Sequence, residues 1–290
     1  VRIGGQAIIE GVLMLGSRVS MAVRDKDGNI VVEDLSESSV TANKLFRIPF
    51  LRGFASLYFS LYFGIKALNR SAELSSGEKI KKSELFWTTV FAFALALGLF
   101  VVLPMWITGL FGFLRNNEIA FAIVEGILRL ILFVLYVWII SFFPDVKRLF
   151  QYHGAEHMAI NAYENGEQLQ LEKIKKYSTI HPRCGTSFVM IFLIFSVVML
   201  SLVSPLASKS FVWRLFSRLI FLPLTAGFAY ELLRILAKRP KFLKILFYPG
   251  LFFQKLTTAQ PDDSQLEVAI AALKRVLPDS DRSEGPEYLG

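Results

Sequence analysis

The sequence predicts an α-helical integral membrane protein with about four transmembrane helices, a small N-terminal β-rich cytosolic unit and interfacial helices. Three observations carry that prediction. Apolar residues make up 53% of the chain and the mean hydropathy is +0.48, above the roughly 45–50% apolar content of a soluble domain. The excess is gathered into runs nearly free of charge, most of them about as long as the ~20 residues a helix needs to cross a bilayer. Net charge is +8, and the Lys and Arg residues gather at the ends of those runs, as the loops on the cytosolic side of a membrane require.

Residues 1–45 read as the β-rich cytosolic unit. Met21–Arg24 and Asn29–Glu33 flank Asp25-Lys26-Asp27-Gly28, and Asp-Gly between two such runs is a hairpin signal. Gly4, Gly5 and Gly11 fit tight turns or close backbone packing. They do not make a phosphate loop, because no helix is predicted directly after them. The segment before Gly16 has no apolar core of the kind a signal peptide carries, so the start of the chain is expected in the cytosol.

Residues 46–84 combine an interfacial amphipathic helix with a charged linker. Pro49 suits a helix start. The run 50–68 carries Ser56, Tyr58, Ser60 and Tyr62 among its apolar residues, which favours the membrane surface over its interior. Residues 71–84 read as the linker.

Residues 85–143 hold the first two spans. The first runs from Leu85 to about Phe111, with Pro104 as a kink site; the second, Ile119 to Phe143, carries Glu125 and Arg129 on one helical face. Residues 144–186 form a polar cytosolic loop region. Residues 187–237 hold the third span, to about Leu206, and the fourth, from about Leu219, with Glu231 and Arg234 near its end. Residues 238–290 begin with the stop Lys238-Arg239-Pro240-Lys241. An interfacial apolar piece at 242–256 follows, then a helix from about Asp263 to Val276 with Asp262, Asp263 or Ser264 as its cap, then a disordered tail.

Lys147, Arg148, Lys173, Lys175, Lys176 and Arg183 place the 144–186 segment in the cytosol, against Arg115 alone after the first span. Lys209, Arg214 and Arg218, between spans three and four, fit this orientation less cleanly. The expectation is a multi-pass protein of the cell membrane with both termini cytosolic. The lipid bilayer is its partner, an oligomer is compatible with the sequence, and nucleic acid is not a partner: no basic patch is interleaved with aromatics in a soluble segment. The single cysteine, Cys184, excludes an intrachain disulfide.

That cysteine lies three residues beyond the last of only three histidines, His153, His157 and His181. On a helix His153 and His157 share a face, so both imidazoles reach one ion. Glu156 completes an H-x-x-E-H pattern in which a glutamate works beside a metal, most simply zinc. If His153, His157, His181 and Cys184 all bind, the site is closed and structural. If three bind, a position is open and Glu156 is a general base. A metal-free alternative makes Cys184 a nucleophile with a histidine as its base. A transporter using Glu125, Arg129, Glu231 and Arg234 is a rival of a different class.

Several segments carry a family resemblance. They are Gly4-Gly5-Gln6-Ala7 with Ile9-Glu10-Gly11-Val12, Pro49-Phe50-Leu51-Arg52-Gly53, Tyr152 to His157, His181 to Phe188, and Pro261-Asp262-Asp263 with Gln265 to Ala269. Together they resemble the YqhQ-like family, bacterial membrane proteins of unknown function described as predicted metal-dependent enzymes. The resemblance covers nearly the whole chain, and no motif position departs at a His, Glu or Cys. It implies a divalent transition metal and raises the weight of the N-terminal glycines and the C-terminal helix. The resulting expectation is a membrane-bound metal-dependent hydrolase acting on an unknown peptide or lipid-linked substrate at the cytosolic face. A membrane scaffold with a structural metal site is a further alternative.

Overall fold

Strand β1 (Gly4–Ile8) opens an antiparallel meander with β2 (Gly11–Leu15), β3 (Val19–Arg24) and β4 (Ile30–Ser36), in the order β1-β2-β3-β4. A computed structural model describes residues 3–37, 48, 51–114, 116–204, 210–236 and 248–278, with backbone only for Leu51 and residues 233–236. The expected helix start at Pro49, the stop at Lys238–Lys241, the apolar residues 242–247, the loop residues Arg115 and Lys209, and the tail beyond 278 lie outside the described residues. The β3–β4 hairpin turns at Asp25–Asn29, where Gly28 takes φ 86° and the Asp25 carboxylate accepts from the backbone of Asp27 and Asn29.

Strands send alternate side chains to opposite faces, and here both faces are covered. Val12, Met14 and Ala22 join a core with α5 (Pro144–Glu164) and α10 (Asp263–Val276). Ile8, Leu13, Val19, Met21 and Val23 join a second core with Phe63 and Ala67 of α1 (Leu51–Ser76). The helix expected on the membrane surface at 50–68 is therefore half of a sheet-packing helix. It continues to Ser76, through residues expected as linker, and Arg70 there pairs with Glu33 of β4 at 2.7 Å. Its other face exposes Tyr58, Leu61 and Tyr62.

Helix α10 is seated by a capping box. Asp262 accepts from the Gln265 backbone and Gln265 reaches back to Asp262 N, satisfying two otherwise orphaned donors. Its far end docks on the sheet where Ser17 Oγ donates to Val276 O at 2.8 Å.

Among the described residues, four helices are long and apolar enough to cross a membrane: Lys82–Gly109, Glu118–Ile140 (α4), Gly185–Val203 (α7) and Phe211–Leu232, the last within α8 (Phe211–Leu236). The first is α2 (Lys82–Leu97), a π-helical turn at Gly98–Val102, and α3 (Leu103–Gly109). Trp87, Phe91, Trp138, Leu202 and Trp213 are exposed on these helices, a surface suited to lipid rather than water. The fourth begins eight residues before the expected Leu219. Arg214 and Arg218 are thus helical and buried, not loop residues, because Glu118 and Glu125 of α4 neutralise them. The 242–256 piece yields α9 (Tyr248–Thr257), which packs on the bundle: Phe253 lies with Val137 and Met190, and Gly250 meets Ser187.

About half of the segment expected as the 144–186 loop is α5. Pro144 sits in its first turn, where no N–H is needed, and Asp145 follows. Residues Tyr152–Ile160 are all buried, between the sheet, α10 and the 257–259 segment. Two histidines and a glutamate lie in that run, so the surroundings must answer their polar groups.

Candidate metal centre

His153 and His157 project from one face of α5, their ring centroids 4.4 Å apart. His153 Nδ1–H donates to Thr257 O at 2.8 Å, and His157 Nδ1–H donates to Thr179 O at 2.6 Å. Each bond fixes the tautomer that leaves Nε2 with a free lone pair, the outer-shell device found behind metal-binding histidines. Cys184 closes the group. It is the N-cap residue of α7, accepts from Thr186 N, and its Sγ lies 3.2 Å from His153 Nε2. One ligand atom from each of His153, His157 and Cys184 falls within 4.8 Å of the others. The donor set suits zinc, which takes both imidazole and thiolate.

The fit rests on more than spacing. His157 Nε2 is buried and has no hydrogen-bond partner, a costly state for a nitrogen lone pair unless something electrophilic answers it. Burial pushes the His157 imidazole down to about 3, assisted by His153, so the ring is neutral and ready to donate its lone pair. Burial pushes the Cys184 thiol up, against hydrogen bonds from Thr186 and Ser187 that favour the thiolate. A cation held there would, together with the N-terminus of α7, tip that balance toward the thiolate.

Glu156 sits beside the trio, its Oε2 3.9 Å from His153 Nε2. Burial raises its carboxyl to about 8, opposed by His153. The carboxylate lies flat against β1: a Cβ on Gly5 would come within 2.7 Å of Glu156 Oε1, whereas one on Gly4 would meet nothing. That contact is what Gly5 is for, and it joins the N-terminal motif to the site.

His181 stands apart from the trio. Its ring lies 5.7 Å from that of His157 and its Nε2 is 3.4 Å from Glu164 Oε2, which also pairs with Arg183. Burial holds its imidazole below the ordinary value. Its backbone is clamped by Gln254, which accepts from His181 N at 2.9 Å and donates to His181 O at 2.8 Å. His181 is thus outside the group of three candidate ligand atoms from His153, His157 and Cys184.

Sequence reasoning does not find the supports. Thr257 and Thr179 act through their carbonyls, Asn161 pins the 178–180 turn through Ser178 O and Ile180 O, and Gln254 is a buried amide in an apolar piece. Only Gln254 had a signal, a polar residue inside an apolar run.

Fold and site define a class: an α-helical membrane protein with, among the described residues, four candidate spans, a small antiparallel sheet, and a His–His–Cys group outside the spans whose two histidines are buried. The family model described as "Protein of unknown function (DUF1385)" matches residues 48–279, and the chain belongs to that family. It is 33% identical over 295 residues to the "Uncharacterized protein YqhQ" of Bacillus subtilis (strain 168), covering 94% of this chain and 92% of that protein. No solved structure matches the chain.

Proposed function

We propose that this is a multi-pass membrane hydrolase, metal-dependent, acting on a peptide or lipid-linked substrate at the cytosolic face. The observation that carries the reading is the convergence of His153, His157 and Cys184, with both Nδ1 atoms locked by carbonyls and Glu156 alongside. A bound divalent ion, zinc by its donor set, supplies Lewis-acid polarisation of water and of a substrate oxygen. His153, His157 and Cys184 hold it. Glu156 accepts the proton of the attacking water and returns it to the leaving group. A positive charge at the trio favours the carboxylate form that this task needs. The reading puts the starts of α2 and α7 and the ends of α4 and α8 on one side with the sheet and α5, and the basic residues of that unit favour the cytosolic side for it.

Metal analysis of full-length protein purified without chelator tests the reading. About one transition-metal ion per chain is expected, and His153→Ala is expected to lose it. Metal-free wild-type protein would remove the reading. A second reading then stands: Cys184 S–H donates to His153 Nε2 at 3.2 Å while Thr257 O orients the ring, the arrangement of a cysteine nucleophile and its base. Metal-free protein whose Cys184 alkylates rapidly at neutral pH would favour it.

Gly5 gives a separate check. Gly5→Ala is expected to displace the Glu156 carboxylate and cut turnover while the metal stays bound. Gly4→Ala, facing open space, should change neither. Equal turnover in the two variants would break the link between β1 and Glu156.

A further inference from the structure

Between the apolar helices the buried charges pair unevenly. Glu118 of α4 accepts from Arg214 of α8 at 2.7 Å, one against one. Deeper in, Glu125 accepts from both Arg129, at 2.5 Å, and Arg218, at 2.6 Å. These three side chains are 1%, 2% and 2% exposed. Among the described residues, two guanidinium groups thus share one carboxylate. Arg129 lies 11 residues past the start of α4, about 16 Å along the helix.

Arg129 is held by a break in the first span. In an α-helix Phe100 O would accept from residue 104, but Pro104 has no N–H to give. Arg129 Nε supplies the missing donor at 2.7 Å, within the π-helical turn Gly98–Val102. One edge of the guanidinium is spent on Phe100 and Glu125. The remaining nitrogen, Nη1, is buried and has no hydrogen-bond partner. Ion groups inside a membrane bundle are paired or face a ligand or water path. A surplus buried cation with a free donor lacks an anion.

We propose that Arg129 Nη1, with the charge of Arg218 beside it, forms a binding site for a phosphate oxyanion within the bundle, carried by an anionic phospholipid headgroup or free in solution. The planar guanidinium donors match phosphate oxygens. This site is independent of the His–His–Cys group, and metal content does not report on it.

The test uses full-length protein in mild detergent, stripped of lipid by detergent exchange. Its thermal midpoint is followed during titration with inorganic phosphate or short-chain phosphatidylglycerol, against chloride at matched ionic strength. One probe or both should raise the midpoint saturably. A response to phosphate alone identifies the free ion, and a response to phosphatidylglycerol alone identifies the headgroup. Arg129→Gln should abolish the response. Arg129→Lys keeps the charge but loses Nη1, and should weaken binding at least tenfold; it decides the matter if the Gln variant does not fold. Native mass spectrometry of the unsubstituted chain should count one phosphate-bearing adduct per protomer. The proposal fails if neither probe exceeds the chloride control, or if Arg129→Lys binds as tightly as the original.

Discussion

Glu156→Gln is expected to keep the metal and to reduce hydrolysis by on the order of 10²–10⁴-fold, the usual contribution of a positioned acid–base group. The substitution is nearly isosteric, so the carboxamide fits the same contact with β1 at Gly5. It leaves the three metal donors untouched, because Glu156 lies beside the His153–His157–Cys184 group and is not one of its members. What it removes is the ability to take a proton from water. Turnover on the best substrate from a screen of peptides and lipid-linked esters, measured with metal content, checks both halves. Full activity in the Gln variant would dismiss Glu156 as the base.

The same variant has a signature in the chelated protein. Without an ion, burial raises the Glu156 carboxyl from 4.5 to about 8, so the fold prefers the protonated acid. The sign follows from linkage: stability is full below the unfolded value and falls as pH rises through the folded one. The chelated wild-type chain should therefore lose thermal stability between about pH 4.5 and pH 8, and Glu156→Gln should lose less of it.

The spans were legible because bilayer thickness imposes a run length that composition cannot hide, as in Leu85–Phe111. The turn at Gly28 and the cap at Asp262 were legible because both are local, decided within four residues. Long-range partnership was not. Phe63 and Ala67 look the same in sequence whether they meet lipid or Leu13 and Met21, so the packing of α1 on the sheet was not visible. Arg218 read as a loop charge because its neutralising Glu125 lies 93 residues away. Within the site, the helical spacing of His153, Glu156 and His157 was enough to join them. The diversion of His181 to Glu164 was not visible, since a histidine beside a cysteine has the same sequence whether its ring turns toward the ion or away. The rival charged pathway also depended on partners. Glu125 and Arg129 meet Arg218, while Glu231 accepts from Arg52 of α1 at 2.6 Å. The Arg234 side chain lies outside the described residues.

Gly154→Ala is expected to cost stability and metal together. A Cβ at this position would come within 2.1 Å of Ala259 O and 3.3 Å of Thr179 Cγ2. The first of these is backbone, and it cannot swing aside as a side chain does, because Ala259 N donates to Phe150 O on the same helix at 2.9 Å. The 257–259 segment must therefore lift from α5, and overpacking of this kind costs about 1–3 kcal/mol. Lifting it withdraws Thr257 O from His153 Nδ1, and pressure on Thr179 disturbs the acceptor of His157. Loss of such outer-shell bonds lowers metal affinity by about 10–100-fold. Thermal midpoint and metal per chain should both fall. Gly185→Ala is the control: it adjoins Cys184 at the start of α7, yet its added methyl would meet nothing within 4 Å, and both quantities should stay unchanged. A Gly154→Ala protein that kept its midpoint and its metal would mean that the 257–259 segment does not set the histidines. The glycine inside H-x-x-E-H would then need another explanation than the close approach of that backbone.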